Sequence, residues 1–359
     1  MHFAVAFIQV PAAFAEVFTA ICEGHERMGR VAWVTLIRTL TTFLCICVAA
    51  HLDGDLGSFV AAYLVGGFAE LGATLLLTRG VVPELRLRVR VARLLPILKE
   101  ATPFLMIGLG ATAMRGLDVM ILTRFSSIPE VSRYGAALNF TDLITMLAIL
   151  VQRALLPVFS RLQRTNTAND LASNSLSLSS GVLLPACTGL ALLADSVVRL
   201  YPSGEYDAAG PVLAALCGAL LCLAPSIVCA SFLTGAGRLR AIMGAYLVAV
   251  PVQVSVSLLL VADHAAVGVA IGTLLGYATL TFILIGAARG LGMWIAYRVI
   301  LRQVTATAVM ALVVAATRSL PLAIPVLVGF VAYVGALWTI APVESPERRL
   351  VAGVVSRWR

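Results

Sequence analysis

The composition of the 359-residue chain excludes a water-soluble fold. Hydrophobic residues make up 60% of the sequence and charged residues only 12%, whereas soluble domains carry roughly a quarter charged residues. The net charge of +8 would indicate nucleic-acid binding if the basic residues formed a compact stripe, but they are spread over short loops. The composition therefore indicates a membrane protein and no nucleic-acid partner.

The apolar residues occur in runs of about 20, the length that a helix needs to cross roughly 30 Å of hydrocarbon. A helix satisfies its own backbone hydrogen bonds, so it is the default element inside a bilayer. We predict an all-α, polytopic transmembrane helical bundle with about eleven spans. They lie near residues 3–22, 31–50, 57–78, 101–125, 134–157, 181–200, 211–233, 241–262, 265–288, 299–317 and 320–340.

The basic residues outside these spans lie mostly on alternate loops. Counted over the predicted topology, 19 of them fall on one set of loops and the C-terminal tail, and 4 on the opposite set. Cytoplasmic loops carry the excess of Lys and Arg, so the pattern predicts a cytoplasmic C-terminus. An odd number of spans then places the N-terminus outside, although the chain enters an apolar run at Phe3 with no basic segment before it. We expect a missing upstream segment; the alternative is one further short span.

Two polar stretches interrupt the spans. Residues 79–100 alternate arginines with apolar residues, which predicts a basic segment along the cytoplasmic interface, in contact with anionic membrane lipids. Residues 160–180 are rich in Ser, Thr and Asn, which predicts a flexible cytoplasmic connection. The remaining boundaries give a partial N-terminal lobe at 1–78, a C-terminal lobe at 101–288, two additional helices at 289–342 and a basic cytoplasmic tail at 343–359.

The motifs of common enzymes and metal sites do not occur in the sequence. It has no Walker-type phosphate-binding loop, and its four histidines lack metal-ligand spacing. The cysteines lie within apolar spans, as small hydrophobic residues do. We therefore predict no metal, no cofactor and no enzymatic activity. Gly268, Gly272 and Gly276 share one helix face, which favours close helix packing over a moving interface.

Ionisable residues inside the spans are the candidates for function, because an Arg or Asp at the centre of a spanning helix costs roughly 2.5 to 3.5 kcal/mol. Arg115 and Asp118 lie three residues apart near the middle of one span and share a face. They are either a self-neutralising pair or the polar face of a substrate cavity. On the next span, Asp142 and Arg153 share a face three turns apart. Arg153 lies nearer the cytoplasmic end, where it is either a cavity residue or extends to lipid headgroups.

The first three spans carry their own charged residues. Arg38 lies in the middle of the second span, and we predict that it contributes to substrate binding. Glu16 and Glu70 lie in the first and third spans. They are candidates for ion coupling, and the alternative is interhelical pairing with an arginine such as Arg38.

Residues 103–162, PFLMIGLGATAMRGLDVMILTRFSSIPEVSRYGAALNFTDLITMLAILVQRALLPVFSRL, carry a recognisable pattern. A proline leads a helix with R-x-x-D near its middle, a short loop ends in Tyr-Gly-Ala, and the next helix closes on Leu-Pro and Ser-Arg. The pattern resembles the seventh and eighth helices of the polysaccharide transporters, within the larger superfamily of multidrug, oligosaccharidyl-lipid and polysaccharide exporters. The stretches EGHERMGRVAWVTLI, FLTGAGRLRAIMGAYL and AAVGVAIGTLLGYA are similar to other loops and helices of that family.

The resemblance implies a two-lobe exporter of twelve or fourteen helices in the bacterial inner membrane that flips undecaprenyl-diphosphate-linked oligosaccharide by alternating access. Here it implies a fourteen-helix member that lacks its first three helices. Arg115 and Arg153 would engage the diphosphate or acidic sugars, and Asp118 and Asp142 would set arginine geometry or take part in ion coupling. Polysaccharide polymerase and glycosyltransferases are the protein partners that it implies. The alternatives are a lipid II flippase, a multidrug exporter of the same fold and a non-transporting remnant.

Overall fold

The computed structural model describes residues 2–24, 27–52, 54–79, 94–162, 167–201 and 206–340, and these residues contain no β-strand. The α-helices in these ranges are α1 (His2–Gly24), α2 (Met28–His51), α3 (Leu56–Arg79), α4 (Leu94–Phe125), α5 (Ile128–Leu162), α6 (Thr167–Leu192), α7 (Ala194–Val198), α8 (Gly210–Gly235), α9 (Leu239–Arg289), α10 (Tyr297–Thr317) and α11 (Ala323–Ile340).

The helices confirm the predicted membrane architecture. Eight helices in the described part of the chain are long and apolar enough, by length and composition, to cross a membrane. One of them, α9, has 51 residues and covers two predicted spans. The remaining two predicted spans coincide with α1 and α5. The all-α, multi-span prediction is therefore correct.

The chain forms two compact units, Met1–Leu95 and Pro96–Arg359. In the first unit, α3 packs against both α1 and α2. Asp55 precedes α3 and accepts hydrogen bonds at 3.0 Å from the backbone N–H and the hydroxyl of Ser58, as a helix N-cap does. These two hydrogen bonds hold the pKa of the Asp55 carboxyl below its usual value, because they stabilise its charged form.

In the second unit, α8 is the central helix and packs against α5, α6 and α9. Its sequence is apolar on all sides, as a helix surrounded by other helices requires. Leu213, Leu216 and Cys217 of α8 lie in one buried cluster, and Val228 and Leu233 lie in a second. The two clusters together run along most of the length of α8.

Helix α9 is broken at Ala265, which divides it into a first arm, 239–264, and a second arm, 266–289. Ala265 has φ 43°, the only positive φ of a non-glycine residue in the described ranges. The backbone N–H of Ala266 donates to the Glu130 carboxylate at 3.4 Å, so α5 supplies a negative charge at the start of the second arm. A side chain at Gly268 would place its Cβ 2.5 Å from the Leu260 carbonyl oxygen. The packing role predicted for the glycines is therefore confirmed.

The prediction of a flexible connection at 160–180 is wrong for most of its length. Helix α6 begins at Thr167, and Ser173, Ser175, Ser177 and Ser179 are buried. Ser177 donates to the Ser173 carbonyl at 2.9 Å, so a serine hydroxyl can be satisfied within the helix itself. The serines face neighbouring helices, and a polar composition here reflects helix packing.

Helices α10 and α11 pack together, and α10 packs on α6 through polar groups. Gln303 donates to the Ser177 carbonyl at 2.7 Å and accepts from the Ser180 hydroxyl at 2.7 Å. Tyr333 of α11 donates to the Gly181 carbonyl at 2.6 Å. These contacts attach the two C-terminal helices to the rest of the second unit.

The predicted interfacial segment, 79–100, is described only in part. Residues 80–93 lie outside the described residues, as does the predicted basic tail, 343–359. Residues 94–100 belong to α4, which begins seven positions before the predicted start of its span. The boundary between the two compact units falls between Leu95 and Pro96, close to this helix start.

Candidate functional site

The centre of the candidate site is an ion pair between α4 and α5. Arg115 Nη2 donates to Asp142 Oδ1 at 3.2 Å, and the two side chains are 51% and 56% exposed within the protein. The sequence left open whether Arg115 and Asp118 neutralise each other or form the polar face of a cavity. Among the described ion pairs, the partner of Arg115 is Asp142. The Asp118 carboxylate is buried and is bound by Tyr134 instead.

Asp118 is 2% exposed, so its carboxylate depends on hydrogen bonds from the protein. Tyr134 donates its hydroxyl proton to Asp118 Oδ2 at 2.6 Å, and the Val119 N–H donates to Oδ1 at 2.8 Å. Tyr134 is itself fully buried, and its hydroxyl lies 3.4 Å from the Thr273 hydroxyl. Asp118 therefore joins α4 to α5, and Tyr134 extends the contact to the second arm of α9.

Gln253 extends this polar network to the first arm of α9. Its Nε2 donates to the Met114 carbonyl at 2.9 Å and lies 3.5 Å from the Thr273 hydroxyl. The carbonyl is that of the residue directly before Arg115. The network thus fixes the backbone of α4 at the position from which the Arg115 side chain projects.

A cavity of about 110 Å³ lies against these side chains. Its polar lining includes Arg115, Asp118, Thr141, Asp142 and Thr145. Thr145 donates its hydroxyl proton to the Thr141 carbonyl of its own helix. The space suits water molecules or one small polar group, because several hydrogen-bonding partners line it.

The first unit contains a second arginine at a polar cavity. Arg38 Nη1 lies 3.3 Å from Glu70 Oε2, with side-chain exposures of 52% and 11%. The alternative of interhelical pairing is therefore confirmed for Glu70. The cavity has a volume of about 570 Å³ and is lined by Arg38, Thr39 and Tyr63 among others.

The other predicted residues are not joined to these pairs. Glu16 is exposed on α1, and the described part of the chain gives it no ion pair. Arg153 belongs to α5, but its side chain lies outside the described residues, so the role assigned to it stays a prediction. Among the described residues, no group of three or more His, Cys, Asp or Glu side chains could hold a metal ion.

Residues 3–211 match the model of a family described as polysaccharide biosynthesis protein. The match covers more than half of the chain. The chain belongs to the polysaccharide biosynthesis protein family. This confirms the family resemblance that residues 103–162 carry.

The fold of this family member is similar to a solved structure, "Lipid II flippase MurJ, inward closed conformation". The TM-score is 0.73 at 14% sequence identity, and the alignment covers 92% of this chain and 72% of the other. A likeness at this identity establishes a shared fold. No curated protein matches the sequence.

Three residues of the site were missed by sequence reasoning. Tyr134 belongs to the Tyr-Gly-Ala pattern, which was interpreted as the end of a loop, but it lies within α5 and binds Asp118. Its spacing of 16 residues from Asp118, across a short turn between two helices, was the available signal. Gln253 and Thr273 gave no signal, because single uncharged polar residues are ordinary in spanning helices.

Proposed function

We propose that this chain translocates a lipid-linked oligosaccharide across the bacterial inner membrane, with Arg115 binding the diphosphate that joins lipid to sugar. The observation that carries the proposal is a half-exposed arginine, fixed by a buried hydrogen-bond network, within a predicted membrane span. An arginine that faced lipid tails would be unfavourable, so its exposed side faces water or substrate. Family membership supports a substrate from polysaccharide synthesis.

The geometry of the pair leaves Arg115 free to bind a phosphate. The guanidinium has five N–H donors, and the contact with Asp142 goes through one nitrogen, Nη2. The remaining donors suit phosphate oxygens, which arginine binds in a bidentate manner. Asp142 would hold the guanidinium in position before substrate arrives and release part of it afterwards.

Arg38 offers an anion-binding group in the first unit, because its half-exposed side chain lines a cavity with threonines and a tyrosine. Its partner Glu70 is mostly buried, so the pair anchors the arginine at its inner side. We propose that Arg38 and Arg153 add to the binding of anionic substrate, and that Asp118 and Asp142 position Arg115 or take part in ion coupling. Ion coupling is proposed for Glu16, whereas Glu70 anchors Arg38.

The proposal places the chain in the bacterial inner membrane with a cytoplasmic C-terminus. The loops with excess arginine would then face anionic lipids. Glycosyltransferases would act before the transport step, and polysaccharide polymerase would act after it. Transport by alternating access between two lobes would need no cofactor and no covalent chemistry on the substrate.

A second candidate substrate is lipid II, which the likeness to the MurJ fold favours. Both substrates combine a long lipid, a diphosphate and a sugar, so Arg115 would serve either one. Loss of the protein would stop all peptidoglycan synthesis if lipid II is the substrate. Loss of a surface polymer alone would indicate the oligosaccharide.

Replacing Arg115 with alanine tests the proposal. Because charged hydrogen bonds to phosphate would be lost, Arg115→Ala should reduce export of lipid-linked intermediates at least about tenfold in cells that depend on this chain. Arg124→Ala is the matched control, since Arg124 is an exposed arginine in the last turn of the same helix, and it should export normally. Unchanged export by Arg115→Ala, at equal protein level, would remove the role assigned to Arg115.

A further inference from the structure

Next to the Arg115–Asp142 pair, α5 presents an exposed amide that the transport proposal does not use. Asn139 is exposed and lies three residues before Asp142, so the two side chains are neighbours on one helix face, about 5–6 Å apart at Cβ. Asn139 Nδ2 donates to the Tyr201 hydroxyl at 3.2 Å. Tyr201 follows α7, so two separate segments of the second unit contribute to this pair.

The tyrosine is held in place by an aromatic cluster. The ring of Tyr201 meets Phe140 edge-on with 5.7 Å between centroids, and lies 4.9 Å from the ring of Tyr206. Phe140 and Tyr206 pack against the buried core of the second unit. Tyr201 is therefore fixed on its apolar side, while its hydroxyl reaches the exposed amide.

The pair keeps hydrogen-bonding groups for a ligand. An asparagine side chain has two N–H donors and a carbonyl oxygen, and the contact with Tyr201 uses one donor. Within the part of the chain that the structure describes, the second N–H, the carbonyl oxygen and the tyrosine hydroxyl proton make no further hydrogen bond. Neutral groups that both donate and accept suit hydroxyls, whereas the neighbouring arginine suits phosphate.

We infer that Asn139 and Tyr201 form a subsite for the hydroxyls of the first sugar, adjoining the phosphate site at Arg115. This inference rests on the proposed function and adds a position that distinguishes sugars. Asn139 lies about one helical turn from Asp142, toward the start of α5. A sugar joined directly to a diphosphate at Arg115 can reach it, because one turn of helix is comparable to the length of a pyranose ring.

Binding of two probes by the purified full chain tests the subsite. The probes are bare undecaprenyl diphosphate and undecaprenyl diphosphate carrying one N-acetylhexosamine. Wild type should bind the sugar-bearing probe more tightly. Asn139→Leu should lower the affinity for the sugar-bearing probe by about three- to tenfold, because neutral hydrogen bonds are lost. The affinity for the bare probe should not change. Tyr201→Phe should act in the same direction.

Matched controls make the same chemical changes elsewhere. Asn174→Leu alters an exposed asparagine of α6, and Tyr206→Phe removes a hydroxyl from the same aromatic cluster. Both should bind the two probes as wild type does. If Asn139→Leu lowers the affinity for both probes equally, or for neither, the sugar subsite is overturned and the phosphate site at Arg115 is unaffected. A wild type that binds neither probe would instead overturn the proposed function.

Discussion

The two aspartates of the candidate site show how environment divides the roles of one residue type. Asp142 is 56% exposed and pairs with a half-exposed arginine, an arrangement that substrate can enter at low cost. Asp118 is buried and receives a tyrosine hydroxyl and a backbone N–H. We therefore expect Asp142 to respond to ligand and Asp118 to maintain structure.

The Tyr134 hydroxyl provides a direct test of that division. Tyr134→Phe removes the hydroxyl that donates to Asp118 Oδ2, so this buried carboxylate oxygen loses its hydrogen bond. The free energy of unfolding should fall by about 1–3 kcal/mol, measured by denaturant unfolding in detergent micelles. Tyr63→Phe is the control, because Tyr63 is 50% exposed, and it should unfold as wild type does. Wild-type stability of Tyr134→Phe would show that Asp118 does not depend on this hydrogen bond.

At the scale of single residues, the sequence predicted Arg115 as a functional candidate and did not predict its partner. A charge in the middle of an apolar span is costly and therefore visible. The choice between Asp118 and Asp142 depends on how α4 and α5 are rotated against each other, and spacing along one helix carries no information about this. Gln253 binds a carbonyl of another helix from 139 positions away, which no local pattern can indicate.

At the scale of elements, α9 is a tight pair of arms. A Cβ on Gly268 would approach the Leu260 carbonyl oxygen, and one on Gly276 would lie 2.7 Å from the Gln253 Cβ. The small residues let the second arm pack directly against the backbone of the first, as in membrane helix pairs generally. Gln253 and Thr273 meet across this contact, so the spacing of the arms also sets the polar network behind Arg115.

Two glycine-to-alanine substitutions in α9 separate the effect of close packing on stability from the effect of helix propensity. Gly268→Ala should destabilise the protein by about 1–3 kcal/mol, because the added methyl group meets backbone atoms that cannot move independently. Gly244→Ala, in the same helix, has nothing within 4 Å of the new Cβ and should be neutral or stabilising by up to about 1 kcal/mol. Thermal unfolding of the two variants side by side gives the comparison. Equal stability would mean that the arms are not in close contact.

The serine-rich part of α6 shows where composition misleads. Ser, Thr and Asn are typical of loops in soluble proteins, and on that basis residues 160–180 were predicted to be a connection. Within the bundle, Ser177 bonds to a carbonyl of its own helix, and Ser180 bonds to Gln303 of a neighbouring helix. The sequence cannot distinguish the two cases, because the deciding partner lies in α10.

At the scale of the whole molecule, most of the spanning helices in the described ranges followed from hydropathy alone, although α6, Thr167–Leu192, is displaced from its predicted span at 181–200. Runs of about 20 apolar residues are imposed by the thickness of the bilayer, so they are readable without knowing any contact. The break at Ala265 was visible as the boundary between two predicted spans, 241–262 and 265–288, and its non-helical backbone angles lie at that boundary. Family membership was also predictable, from the pattern of residues 103–162.

The arginine distribution predicts the orientation of the molecule. Because loops rich in Lys and Arg stay in the cytoplasm, a fluorescent protein fused after Arg359 should fold and fluoresce in the cytoplasm. A fusion of alkaline phosphatase at the same position should be inactive. High phosphatase activity with no fluorescence would reverse the orientation and place the arginine-rich loops on the outer side.

The polar attachment of α10 to α6 has a consequence for biosynthesis. Ser180 and Gln303 are separated by 123 positions, which takes about 6–25 s to translate at roughly 5–20 residues per second. During that interval the Ser177 and Gly181 carbonyls have not yet met Gln303 and Tyr333. The nascent α6 thus enters the bilayer with part of its final hydrogen bonding deferred, and α10 and α11, which are translated later, complete it.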